Sequence, residues 1–191
     1  MNVSALVRHS RRARMVAALV PLAALVACGG APSKGAGAPA APAPTTHFSE
    51  NGVTVTLSLS AWHDSKGTIT AVFTPEAEGF HLYSTDLPPT GIDGVGRPTT
   101  VAVTGVLGAE GKLRAAPEVR SIEVPGVDSR VPVYPDGPVS TTLAVRATGS
   151  GEATVLLGYA SCSTRDGCTI PVSDRPVRLR VTDDGPTFVA P

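Results

Sequence analysis

Val53-Thr54-Val55-Thr56-Leu57-Ser58-Leu59-Ser60 alternates apolar and hydroxyl-bearing side chains without a break. Successive side chains of an extended chain point to opposite faces, so this spacing covers Val53, Val55, Leu57 and Leu59 and leaves the threonines and serines toward water. The run predicts a strand with one buried face. The same period recurs at residues 68–74, 79–83, 99–106, 119–124, 140–146, 153–159 and 176–181, with clusters of Gly, Pro and Asp between the runs. In the last of them Val177, Leu179 and Val181 face one way and Arg178 and Arg180 the other. None of these runs sustains a helical period. About eight short strands separated by turn residues predict an all-β fold, an immunoglobulin-like antiparallel β-sandwich with very little helix. The absence of strand–helix alternation argues against a Rossmann or thioredoxin-type domain.

The start of the chain speaks of location. Arg8, Arg11, Arg12 and Arg14 precede an apolar stretch from Met15 to Ala27, which is shorter than the roughly 20 residues a spanning helix needs and reads as an export signal. Leu25-Val26-Ala27-Cys28-Gly29 resembles a bacterial lipobox, which makes Cys28 the expected lipid attachment site. Acyl chains there would hold the protein on the extracytoplasmic face of a bacterial cell membrane. Residues 29–46 are nearly all Ala, Pro and Gly, too poor in apolar bulk to fold, and read as a disordered tether. The expected organisation is a signal peptide over 1–27, a lipid-anchored linker over 28–46, the sandwich over 47–183 and a tail over 184–191.

Charge excludes two classes of partner. Sixteen basic residues balance sixteen acidic ones, but four of the arginines lie in the signal, leaving twelve against sixteen. A net charge of about −4 with no basic patch fits neither nucleic acid nor an anionic membrane surface. The expected assembly state is a monomer.

Gly158-Tyr-Ala-Ser-Cys162-Ser-Thr-Arg-Asp-Gly-Cys168-Thr-Ile-Pro171 lies between two of the alternating runs, like the connection of a β-hairpin with a thiol near each foot. With Cys28 assigned to lipid, Cys162 and Cys168 are left to pair with each other in a compartment that permits disulfides. The feet of a hairpin suit the Cα separation of roughly 4.4–6.8 Å that a bridge requires. A structural role is the plainer reading of that bridge. Yet closing a loop of about seven residues contributes only roughly 2.4 kcal/mol in the chain-entropy model, across strands the turn already holds. A bridge of small structural value in an exposed polar loop suits a labile or catalytic disulfide. Arg165 between the cysteines would favour a thiolate and Asp166 would oppose it. Spacing alone leaves both readings open, with the structural one ahead.

The segment from Tyr159 to Pro171 resembles the active-site segment of the N-terminal, periplasmic, immunoglobulin-like domain of the thiol:disulfide interchange protein DsbD. That family carries Tyr-x-x-Cys-x(5)-Cys-x-x-Pro, and Tyr159, Cys162, Cys168 and Pro171 match all four fixed positions. Upstream, Gly79-Phe80-His81-Leu82-Tyr83 is similar to the family's Gly-aromatic-aromatic-Leu-Tyr strand beside the cysteines. Residues 125–140 loosely resemble the segment bearing the family's cap loop.

The resemblance implies a domain that passes reducing equivalents through Cys162 and Cys168 to oxidised exported proteins and is re-reduced by a separate thioredoxin-fold partner. It implies an attack-point role for Cys168 and a resolving role for Cys162. His81 and Tyr83 match positions that flank the thiols: His81 as proton acceptor or thiolate-stabilising cation, or as a strand histidine without a role, and Tyr83 as a site residue or as packing. The family's cap places an aromatic over the disulfide, but no Phe or Trp lies between Ser121 and Ser140, which leaves Tyr134, Val124 or Val127 to cover it. No cofactor or metal is expected: the only methionines, Met1 and Met15, lie in the signal, and the five-residue gap between the cysteines is not a zinc spacing. The alternative function is a lipid-anchored binding module whose bridge only shapes a loop.

Overall fold

A computed structural model describes residues 43–190. The expected signal, Cys28 and most of the expected linker lie outside the described residues. The strands are β1 Thr45–Glu50, β2 Val53–His63, β3 Lys66–Pro75, β4 His81–Leu82, β5 Thr100–Gly105, β6 Leu107–Ala109, β7 Arg114–Ala115 and β8 Arg120–Ile122. They continue with β9 Val131–Val133, β10 Val139–Ala147, β11 Gly151–Tyr159, β12 Ser161–Ser163, β13 Gly167–Cys168, β14 Val172–Thr182 and β15 Gly185–Phe188. No helix occurs among the described residues, and none there is long and apolar enough to cross a membrane.

Two antiparallel sheets form the sandwich. One runs β1-β2-β3-β10-β6, with β7 also on β10, and the other runs β15-β14-β11-β5. Their inner faces are the alternating positions read above: Val53, Val55 and Leu57 of β2, Ile69, Ala71 and Phe73 of β3, and Val155, Leu157 and Leu179 from the opposite sheet, all buried in one core. Covering each such side chain contributes roughly 1.5–3 kcal/mol, against the entropy of ordering the chain. Phe73 and Tyr159 meet edge to face between the sheets with centroids 5.5 Å apart.

All eight predicted runs contain a strand, but the folded edges differ from the expected ones. β1 takes in Thr45 and Thr46 of the expected linker, and β15 lies within the expected tail, paired with β14 from Leu179↔Phe188 to Thr182↔Gly185. His47, the first residue of the expected sandwich, is a mid-strand residue opposite Thr56.

Above this frame a narrower layer carries the cysteines. β11 and β14 pair as far as Tyr159↔Val172, with a register shift between Leu157 and Tyr159. The chain between them leaves the main sheet as a second, smaller hairpin of β12 and β13, and β12 also pairs with β4. Tyr83 then bridges to Val133 of β9, whose other neighbour is β8. Tyr83, Leu87, Val131, Val133, Ala160 and Cys162 form a second apolar cluster within this layer.

Candidate functional site

The disulfide joins residues directly opposite each other in the register. Cys162 of β12 faces Cys168 of β13 with Cα atoms 4.0 Å apart, a little closer than anticipated, and the sulfurs are bonded. The turn between the two strands is tied by Ser163, whose Oγ accepts from the backbone N–H of Arg165 at 3.2 Å and donates to Asp166 Oδ2 at 3.1 Å. Such local side-chain bonds replace the ladder where the strands end. The two sulfurs sit in unlike surroundings. Cys162 is 4% exposed and belongs to the apolar cluster, whereas Cys168 closes a run of exposed residues from Thr164, with half-buried Thr169 and exposed Ile170 beyond it.

Register also brings His81 to the site. His81 of β4 pairs with Cys162, and paired residues point to the same face, so His81, Cys162 and Cys168 form a row across three strands, with Tyr83 two positions along the same face. The Tyr83 hydroxyl lies 3.0 Å from Cys162 Sγ and 3.8 Å from Cys168 Sγ. Its main-chain carbonyl is held by Thr99, whose hydroxyl donates at 2.7 Å. Burial pushes the Tyr83 phenol above its ordinary pKa, so it remains an O–H donor through neutral pH.

His81 is buried. Its Nδ1 lies 3.5 Å from Asp136 Oδ1, while its Nε2 is buried with no hydrogen-bond partner. Desolvation lowers its pKa below the usual value, opposed in part by the Asp136 charge. Its ring meets Tyr83 edge to face at 6.1 Å.

The face over Tyr83 is closed by the loop between β4 and β5. Ile92 and Val95 exchange backbone hydrogen bonds around Asp93 (φ 51°) and Gly94 (φ 80°), the conformation that Asp-Gly favours in a two-residue hairpin turn. Gly96 follows at φ 83°, so close that a Cβ there would stand 2.7 Å from the Tyr83 ring. The result is a cleft of about 290 Å³ whose walls include Gly96, Arg97, Tyr83, Pro171 and both cysteines. The residues expected to cover the disulfide divide. Val124 and Val127 pack on the cluster that contains Cys162 and Tyr83, but Tyr134 is buried in the main core, its hydroxyl 3.0 Å from both Thr85 N and Thr85 Oγ1.

Sequence reasoning singled out Cys162, Cys168, His81 and Tyr83, and the structure brings all four together. It missed Asp136 and the Gly94–Arg97 wall, which stand far from the cysteines in sequence and carry no local motif. Arg165, expected to act on a thiolate, instead lies over Gly79, its guanidinium 3.6 Å from where a Cβ of that residue would be.

Among solved structures the chain is similar to the N-terminal periplasmic domain of ScsB from Proteus mirabilis, with a TM-score of 0.52, 14% identity and coverage of 78% of this chain and 55% of that one. The chain has the fold of that domain. It thus spans little more than half the length of that ScsB chain. It is also similar to the N-terminal domain of DsbD from Neisseria meningitidis in the reduced form, at a TM-score of 0.42 and 16% identity over 70% of this chain and 89% of that one. No protein-family model matches the sequence, and no curated protein matches it. At this level of identity the likeness to the ScsB domain speaks to fold, and the chemistry rests on the residues themselves.

Proposed function

We propose that this chain is an extracytoplasmic thiol-disulfide exchange domain that passes reducing equivalents through Cys162 and Cys168. The observation that carries the reading is the asymmetry of the bridge. One sulfur, Cys168, is presented at an exposed hairpin edge, and the other, Cys162, leaves into a buried pocket with the Tyr83 hydroxyl 3.0 Å away. An incoming thiolate attacks Cys168 Sγ, the Cys162–Cys168 bond breaks, and Cys162 departs as a thiolate that accepts a hydrogen bond from Tyr83. In the delivering direction reduced Cys168 attacks an oxidised exported protein, and Cys162 resolves the mixed disulfide. The electron source in this reading is a thioredoxin-fold protein, and lipid at Cys28 anchors a monomer to the outer face of the cell membrane.

The test is a trap in cells. Cys162→Ala leaves Cys168 free and removes the resolving thiol, so mixed disulfides accumulate and mass spectrometry identifies what is attached. Thioredoxin-fold and exported proteins are the expected adducts. Attachment of small thiols alone would contradict the proposal.

A further inference from the structure

The one carboxylate within reach of the buried histidine has no part in the exchange scheme above, and neither has the histidine's free nitrogen. Asp136 lies in the loop between β9 and β10, fastened beside β4 by the hydrogen bond from Gly137 N to Phe80 O at 3.1 Å. Gly137 has φ 102°, a backbone region that favours glycine. This turn sets Asp136 Oδ1 3.5 Å from His81 Nδ1. The carboxylate is 62% exposed while the imidazole it faces is almost fully covered.

Two independent features fix where the single proton of a neutral His81 sits. A proton on Nε2 would create a buried donor with no acceptor, which is unfavourable, and would turn the Nδ1 lone pair toward a carboxylate oxygen. A proton on Nδ1 faces Asp136 and leaves Nε2 as a bare, desolvated base. Such an orienting acceptor is how a histidine's tautomer is ordinarily selected.

Resting on the exchange reading above, we propose that Asp136 is a positioning residue that holds His81 in its Nδ1–H form, so that Nε2 receives the proton of the Cys162 thiol during resolution. The step balances. With Cys168 joined to a substrate sulfur, the Cys162 thiol gives its proton to His81 Nε2, and the Cys162 thiolate attacks Cys168 Sγ. The Cys162–Cys168 bond forms, the bond from Cys168 to the substrate breaks, and the electron pair leaves on the substrate sulfur, which takes the proton back from His81. The substrate disulfide is reduced by two electrons and the cysteine pair is oxidised by two. The charged and titratable groups on the elements around His81 are Asp136 before β10, Tyr83 on its own segment, Cys162 on β12, Cys168 on β13, and Arg165 and Asp166 in the exposed turn between those strands. Of these Asp136 is the charged group within reach of the imidazole, Tyr83 meets its ring edge to face, and Cys162 is its partner in the register of β4 and β12.

The test uses the full chain and oxidised glutathione as substrate, so that a failure to act on proteins leaves the measurement standing. Nitrogen-15 NMR reads the His81 tautomer, and acid-quenched mass spectrometry reads formation and resolution of the Cys168–glutathione disulfide against pH. Asp136→Ala is expected to move the proton off Nδ1 and slow resolution on the order of tenfold, less than the roughly 100-fold or more that loss of the base itself would remove, with the first attack by Cys168 unchanged. Asp136→Asn keeps an acceptor for Nδ1–H and restores the tautomer and most of the rate. The proposal is overturned if Asp136→Ala keeps the proton on Nδ1, or if the tautomer changes and resolution does not.

Discussion

Tyr83→Phe removes one oxygen from the site and leaves the ring that fills it. In the oxidised protein that oxygen lies 3.0 Å from Cys162 Sγ. When the bridge opens, Cys162 becomes a largely buried thiolate, and among the described residues the Tyr83 phenol is the hydroxyl in hydrogen-bond contact with its sulfur. A hydrogen bond to a charged group is worth roughly 1.5–3 kcal/mol, and on the way to a thiolate leaving group that becomes a slowing of about 10- to 150-fold. Because burial raises the phenol's pKa, the donor is present across the neutral range and the slowing is the same from about pH 6 to pH 9. The assay is opening of the bridge by excess dithiothreitol, followed by timed acid quench, alkylation and mass spectrometry, with thermal unfolding to show that the fold is intact. The main-chain bonds from Thr99 to Tyr83 do not involve the phenol and survive the change. Bridge opening in Tyr83→Phe within twofold of wild type would refute the reasoning.

Other consequences follow from the same geometry. Gly96→Ala places a methyl 2.7 Å from the Tyr83 ring at a left-handed backbone position, costing about 1–3 kcal/mol, visible as a lowered unfolding midpoint in urea. Phe73→Ala empties the contact with Tyr159 between the sheets and is expected to cost about 3–5 kcal/mol by the same measurement. His81 has a folded pKa below the value near 6.5 that it takes when unfolded. The unfolded chain therefore binds more protons as the pH falls through that window, so this residue destabilises the fold on acidification from about pH 7 to pH 5. Urea titrations at the two pH values should show a smaller loss in His81→Asn than in wild type.

The sandwich was legible because its strands obey a period of two over six to eight residues. Val53 to Leu59 announces its buried face outright. What escaped were segments too short to show any period: β6 and β7 beside β10, the Val131-Pro132-Val133 strand, and β15, whose Gly185-Pro186 opening reads as a turn but pairs with β14. The four site residues were legible for a different reason. Cys162 and Cys168 are close in sequence and their spacing carries the motif, while His81 and Tyr83 enter through a similar motif on a neighbouring strand. Asp136 offered no such signal. It reaches His81 only because Gly137 is hydrogen-bonded to Phe80, a meeting of residues more than fifty apart that no local pattern encodes. The cover over the disulfide was sought in Val124, Val127 and Tyr134, for want of a Phe or Trp nearby, and Tyr134 is buried in the main core instead. The cover over Tyr83 is supplied in part by a glycine at 96, a residue with no side chain to notice.

Whether Cys162–Cys168 is a working bridge or a staple is decided most directly by its reduction potential, measured by equilibration of the purified protein with thioredoxin or glutathione redox buffers. An exchange domain is expected to lie between roughly −180 and −270 mV, where its neighbours in electron transfer lie. A value below about −300 mV, in the range of structural bridges, would contradict the account.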